Sequence, residues 1–197
     1  MTARPRFLVA ILLVFATVAG CETQVARPQF PEITFAHRPA IVLSVGSIEV
    51  VTAYRAPLAA PNVDHLMAQR PAAVLERWAR DRLKTGGRGG RAQFTVVDGA
   101  VTETRLKTQK GLTGTFRIEQ AERYDGNVEA RLEVFDGSGQ RTGFATARAN
   151  RSKTLGEDAT VNDRERLWYD LVRQLAADFD AEMEKNLRQH LSGWVLE

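Results

Sequence analysis

An α+β fold is predicted: an antiparallel sheet of about four to six strands, with one short helix and one long C-terminal helix packed on one of its faces, in the order β-α-β-β-β-β-α. Three observations carry this. Residues 162–191 repeat apolar side chains at helical spacing. Residues 128–135 alternate, with Val128, Ala130, Leu132 and Val134 on one face and Glu129, Arg131 and Glu133 on the other, the pattern of a sheet with one buried side. At 197 residues, 44% hydrophobic and 26% charged, the chain has a globular composition, which excludes disordered, collagen-like and disulfide-stapled classes.

The elements follow in order. Residues 41–51 (IVLSVGSIEVV) are rich in β-branched side chains and read as a first strand, with Gly46 a candidate bulge. Residues 56–70, holding Pro57, Pro61 and Asn62, read as a loop. Pro71 suits the first turn of a helix whose Leu75, Trp78, Ala79 and Leu83 share one face, and Gly86-Gly87 is expected to end it. Five β-like runs follow, at 92–97, 100–107, 114–124, 128–135 and 143–151. Asp125-Gly126-Asn127 is read as the turn from the third to the fourth, and Asp136-Gly137-Ser138-Gly139 as the hairpin into the fifth. In the last element Asn162 is the expected cap and Glu165 the partner three residues on. Leu167, Trp168, Leu171, Val172, Leu175, Phe179, Met183 and Leu187 then run to about Leu191, a helix of about 28 residues and about 42 Å. Its stripe needs an extended surface, and the sheet is the candidate. Trp78 and Trp168, on apolar helix faces, are expected in the core.

The N-terminus differs from the rest. Residues 1–6 carry Arg4 and Arg6 and no acid, and residues 7–19 form an apolar run of 13. A bilayer core of about 30 Å needs about 20 helical residues, so this run has the length of a signal-peptide core rather than of a membrane span. Val18-Ala19-Gly20-Cys21 follows, and resembles the bacterial lipobox. The resemblance implies cleavage after Gly20, with Val18, Ala19 and Gly20 recognised by the peptidase. It also implies a thioether-linked diacylglycerol and an N-acyl chain on Cys21, an anchor facing the periplasm. Glu22, rather than aspartate, next to the cysteine leans towards the outer over the inner membrane. Cys21 is the only cysteine, so the acylated chain has neither a free thiol nor a disulfide. Three regions result: a signal peptide at 1–20, a lipidated cysteine with an extended proline-bearing tether at 21–39, and one α+β domain at 40–197.

The basic pI of about 9.3 shrinks on the same reading. Removing residues 1–20 leaves 25 basic and 24 acidic side chains, and with them goes the case for nucleic acid.

Catalytic and metal-binding patterns are sparse. His37, His65 and His190 are scattered, and no Gly-x-Ser-x-Gly, Ser-x-x-Lys or His-Glu-x-x-His occurs. No metal, no cofactor beyond the acyl groups, and no enzymatic activity is expected. Glu119, Glu122, Glu129 and Glu133 read as a solvated strand face. Residues 86–91 (GGRGGR) stand between a helix and a strand, the reverse of a phosphate loop. They read as a flexible turn, or as a contact to anionic lipid through Arg88 and Arg91. Asp178, Asp180, Glu182 and Glu184 include like charges four apart, which either face solvent or await a basic partner. Trp194, beyond Gly193, either docks on the body or stands out as an apolar hook for a partner; docking is favoured.

With the lipobox in place, the strand–helix–strands–long-helix order, and the helix bearing Arg77-Trp78-Ala79, resemble auxiliary lipoproteins of Gram-negative envelopes. Those are the lipopolysaccharide-assembly lipoprotein and the auxiliary lipoproteins of ABC-type transporters. The resemblance implies a non-enzymatic accessory in envelope assembly or lipid transport, binding an envelope protein or an amphiphile. The alternative is an adaptor or activator of a cell-wall synthase. A lipid carrier should hold a cavity lined by residues such as Trp78, Phe94, Phe116 and Trp168; an adaptor should have a solid core and a conspicuous surface patch.

Overall fold

The computed structural model describes residues 29–107 and 119–196. The signal peptide, the lipobox with Cys21, and Phe116 lie outside the described residues. Along the chain stand β1 (Ile41–Leu43), β2 (Ser47–Thr52), α1 (Pro71–Arg82), β3 (Leu83–Thr85), β4 (Arg91–Asp98), β5 (Val101–Arg105), β6 (Gln120–Phe135), β7 (Arg141–Gly156), α2 (Val161–His190) and β8 (Val195–Leu196). A small sheet has the order β3-β1-β8, and a larger one the order β2-β4-β6-β5 with β7 also on β6.

The fold is α+β with a long C-terminal helix, but both sheets are mixed rather than antiparallel. β1 runs parallel to β3, and β2 parallel to β4. The cause is α1, which lies between β2 and β4: a helical crossover returns the chain to the end it started from, and the next strand then pairs in parallel.

Three local expectations are corrected. The strand expected over 41–51 is two strands in different sheets, and Gly46 sits at the switch rather than in a bulge. Its N–H donates to the carbonyls of Gly89 and Gly90 at 3.1 Å, and a Cβ there would meet Arg88 O at the same distance. The helix ends at Arg82 rather than at Gly86-Gly87, passing directly into β3. Residues 125–127 make no turn: β6 runs straight through them, Asp125 opposite Ser152 and Gly126 opposite Arg151. Gly126 is needed for close approach, since a Cβ would lie 2.6 Å from Leu175 Cδ1.

β6 is the spine of the larger sheet. It pairs with β7 along its length, with β5 through its first half and with β4 through its second. The expected hairpin at 136–139 is present, with Asp136 Oδ1 accepting from Ser138 N at 2.9 Å and Gln140 N at 3.0 Å. The inner face presents Phe94, Tyr124, Val128, Leu132 and Ala147 to Leu75 and Trp78 of α1 and to Leu171, Phe179 and Met183 of α2, all buried. Trp78 stacks on Phe94 at 5.4 Å and meets Phe179 edge-on at 5.3 Å. Trp168 is half-buried, edge-on to Tyr124.

α2 has 30 residues, about 45 Å of helix. Its cap is Thr160 with Asp163, two residues before the expected pair of Asn162 and Glu165: Asp163 N donates to Thr160 Oγ1, and Thr160 N to Asp163 Oδ2. Among the described residues no helix is long and apolar enough to cross a membrane.

Residues 29–39, the second part of the expected tether, lie against the helices. Ile33 and Phe35 are buried, and Asp81 of α1 accepts from both Thr34 Oγ1 and Phe35 N at 2.8 Å. Arg77 donates to Ile33 O at 2.9 Å, and the Phe30 ring stacks on Tyr169 at 4.7 Å.

Candidate functional site

The strongest concentration of buried charge lies where α1, α2 and the docked N-terminal segment meet. Arg82, the last residue of α1, is 1% exposed and takes Asp180 of α2 as its partner. Arg82 Nε donates to Asp180 Oδ1 at 2.9 Å, and its remaining nitrogens reach Glu184 and the carbonyl of Pro39. Trp78 Nε1 donates to the same Asp180 Oδ1 at 2.7 Å, while Arg38 Nε stands 3.1 Å from Oδ2. Two arginines thus face two carboxylates, and burial is tolerated because charge and lone pairs are answered together. Burial alone would push the Glu184 carboxyl up; Arg188 and Arg82 outweigh it and hold the group below its ordinary value. Chemically this is a clamp on three segments.

Beside the clamp runs a groove of about 610 Å³ between residues 32–38 and α2, floored by Ala176, Ala177 and Ala181 and edged by His37, Arg38 and Arg173. Two of its cations are already engaged, Arg38 with Asp180 and Arg173 with Asp170.

The acidic stretch of α2 is divided by helical geometry, since neighbours two apart point to nearly opposite sides. Asp178 takes Arg151 of β7 in two hydrogen bonds of 2.5 and 2.8 Å. Asp180 is in the clamp, Glu184 bridges Arg82 and Arg188, and Glu182 faces outward to Lys185 at 3.3 Å. The chain's own arginines therefore occupy most of what was read as a surface for a basic partner. Trp194 is half-buried, and its carbonyl accepts from Ser44 N at 2.7 Å as β8 closes the small sheet against β1. Arg88 is exposed, whereas Arg91 lies over the Phe135 ring at 3.9 Å and donates to Gln93. Glu122 lies at the other end of β6, bound to Arg164 at 2.6 Å. Thirteen residues of extended strand separate Glu122 from Phe135, about 43 Å.

Arg82, Arg38 and Asp81 were not singled out from sequence. For Arg82 a signal existed: it falls on the stripe of Leu75, Trp78 and Ala79, where a charge must find a partner. Arg38 and Asp81 carried none. Among the described residues no three His, Cys, Asp or Glu stand close enough to share a metal ion. The core is filled where a lipid cavity was to be sought, with Trp78, Phe94 and Phe179 in mutual contact.

No family model matches the chain, and no curated protein matches it. Among solved structures, it is similar to a minor lipoprotein from Acinetobacter baumannii (13% identity, TM-score 0.36), over 79% of this chain and 98% of the other. A protein from Caulobacter crescentus CB15 described as a lipoprotein aligns at 14% identity and TM-score 0.39, over 74% of this chain and 91% of the other. One from Xanthomonas campestris aligns at 8% and 0.33, over 83% and 95%.

Proposed function

We propose that the chain is a bacterial envelope lipoprotein, anchored through acylated Cys21, whose body serves envelope assembly or lipid transport as a non-enzymatic accessory by contacting another envelope protein. The anchor rests on the basic start, the short apolar core and Val18-Ala19-Gly20-Cys21. What favours protein contact over internal lipid carriage is the filled core: Trp78 and Phe94, two of the side chains a lipid cavity would expose, are fully buried against each other and Phe179. The alternative reading, an adaptor or activator bound to a cell-wall synthase, keeps the same anchor and is also favoured by the filled core.

Two measurements test it. Intact-mass analysis of protein from native membranes is expected to show a chain beginning at Cys21 with the mass of a diacylglycerol and an acyl group; an unmodified Cys21 overturns the anchor. Crosslinking in intact envelopes is expected to capture a protein partner. Recovery of bound lipid without any protein overturns the contact reading.

A further inference from the structure

The loop joining β2 to α1 exposes apolar side chains beside the point where the chain enters the body. Leu58 and Leu66 are 69% and 61% exposed, among the most exposed large apolar side chains of the described residues. They border one depression together with Pro61 and Arg105. Leu66 also borders an adjoining hollow of about 240 Å³ with Phe30, Met67, Glu165, Trp168 and Tyr169, so Leu66 joins the depression at Leu58 to the one at Phe30.

We infer that this face rests on the surface of the bilayer that holds the anchor; only the position of the anchor depends on the lipoprotein proposal. Chain length carries the argument. Phe30 is pinned by its stack on Tyr169, and the segment from there to Pro39 is docked, so the body is tied at this face rather than at the far end of a long tether. Gln29 stands eight residues after Cys21, which limits the separation to about 28 Å. Charge agrees on balance. The loop exposes Arg55 and Arg70, its one acid, Asp64, is buried, and Arg105 adds a third exposed cation, against the half-buried Glu165 at the adjoining hollow. Glu103 in the same depression is held by the Tyr124 hydroxyl at 3.1 Å. Exposed leucines among arginines are the chemistry of an interface with anionic headgroups. Arg88 and Arg91, the cations picked out from sequence for that contact, lie at the far end of β6.

The test places an environment-sensitive dye on Leu58→Cys, Leu66→Cys or Arg148→Cys in the acylated protein, where Cys21 offers no thiol. The protein is reconstituted on vesicles containing phosphatidylglycerol. A blue shift at 58 and 66 but not at 148, on the outer sheet face, is expected. The pair Leu58→Ser/Leu66→Ser, in a Cys21→Ser chain expressed from residue 21 and so free of both the acyl groups and the apolar run at 7–19, is expected to bind the same vesicles about tenfold less than that Cys21→Ser chain alone. Labels at 58 and 66 as wet as at 148, on protein that co-floats with vesicles, overturn the inference. So does a blue shift that appears without vesicles as the protein concentration rises, which would assign the face to a second copy. Failure of acylation is read separately, by mass, and the Cys21→Ser comparison then decides alone.

Discussion

Asp180→Ala removes the acceptor that holds Arg82, Trp78 and Arg38 together. Arg82, at 1% exposure, would keep only Glu184 and the Pro39 carbonyl, and the Trp78 N–H would lose its partner. Breaking a buried pair from one side costs about 3–5 kcal/mol, and here Arg82 loses one of its two carboxylates while Trp78 loses its acceptor in the same step. For a domain of this size each kcal/mol shifts the midpoint by about 2–4 °C, so Tm should fall by about 6–20 °C. Urea unfolding followed by circular dichroism gives the free energy, and fluorescence of a Trp168→Phe/Trp194→Phe background isolates the signal of Trp78. The companion is Arg82→Met/Asp180→Leu, which replaces the innermost pair with apolar volume and should recover more than half of the loss. A single variant losing less than about 1 kcal/mol, or a double variant losing the sum of its singles, would refute the view that Asp180 is the chief partner of buried Arg82.

Four further outcomes are expected. Gly126→Ala should cost about 1–3 kcal/mol in urea unfolding, because its Cβ would lie 2.6 Å from the Cδ1 of buried Leu175. Thr160→Ala should lose about 1 kcal/mol by opening the capping box of α2, measured the same way. Asp81→Ala removes the acceptor for Thr34 Oγ1 and Phe35 N, and should speed hydrogen exchange across residues 30–37 while leaving β6 and β7 protected. Glu122 is pushed up by burial but pulled further down by hydrogen bonds from Tyr124 and Arg164, so it ionises below the ordinary glutamate value of 4.5. Its folded value being depressed, its contribution is complete above that ordinary value and fades as pH falls through the lower one. Glu122→Gln should flatten this part of the acid limb, and an NMR titration placing the Glu122 carboxyl at or above 4.5 would reject the assignment.

Helical period was the most legible signal. It spans thirty residues in α2, and each added turn of apolar stripe strengthens it, so only the cap moved, from Asn162 to Thr160. Strand boundaries were harder for a physical reason. A glycine in an alternating run reads locally as a turn, whereas Gly126 is explained by Leu175, 49 residues away in sequence. No local pattern reports such a contact. The parallel pairing of β2 with β4 was likewise hidden, because residues 41–51 read as one strand and the switch of sheet at Gly46 depends on carbonyls from the 86–90 turn.

The charges of α2 show how composition misleads about surfaces. Four acids within seven residues look like an open face, yet three of them have arginine partners from β7, α1 and the N-terminal segment. Sequence spacing gives the side of the helix, but only the fold says what stands opposite it. The converse holds at the β2–α1 loop. Its Leu58 and Leu66 are unremarkable among 44% hydrophobic residues, and proline and asparagine mark the stretch as mere connection. Their weight comes from position: the segment that begins at Phe30 docks beside Leu66, and Cys21 precedes Gln29 by only eight residues of sequence. If Cys21 is the anchor, the residues that orient the body are those beside the point where the docked segment begins, and the arginines around Leu58 and Leu66 outrank the arginine-glycine turn at 86–91.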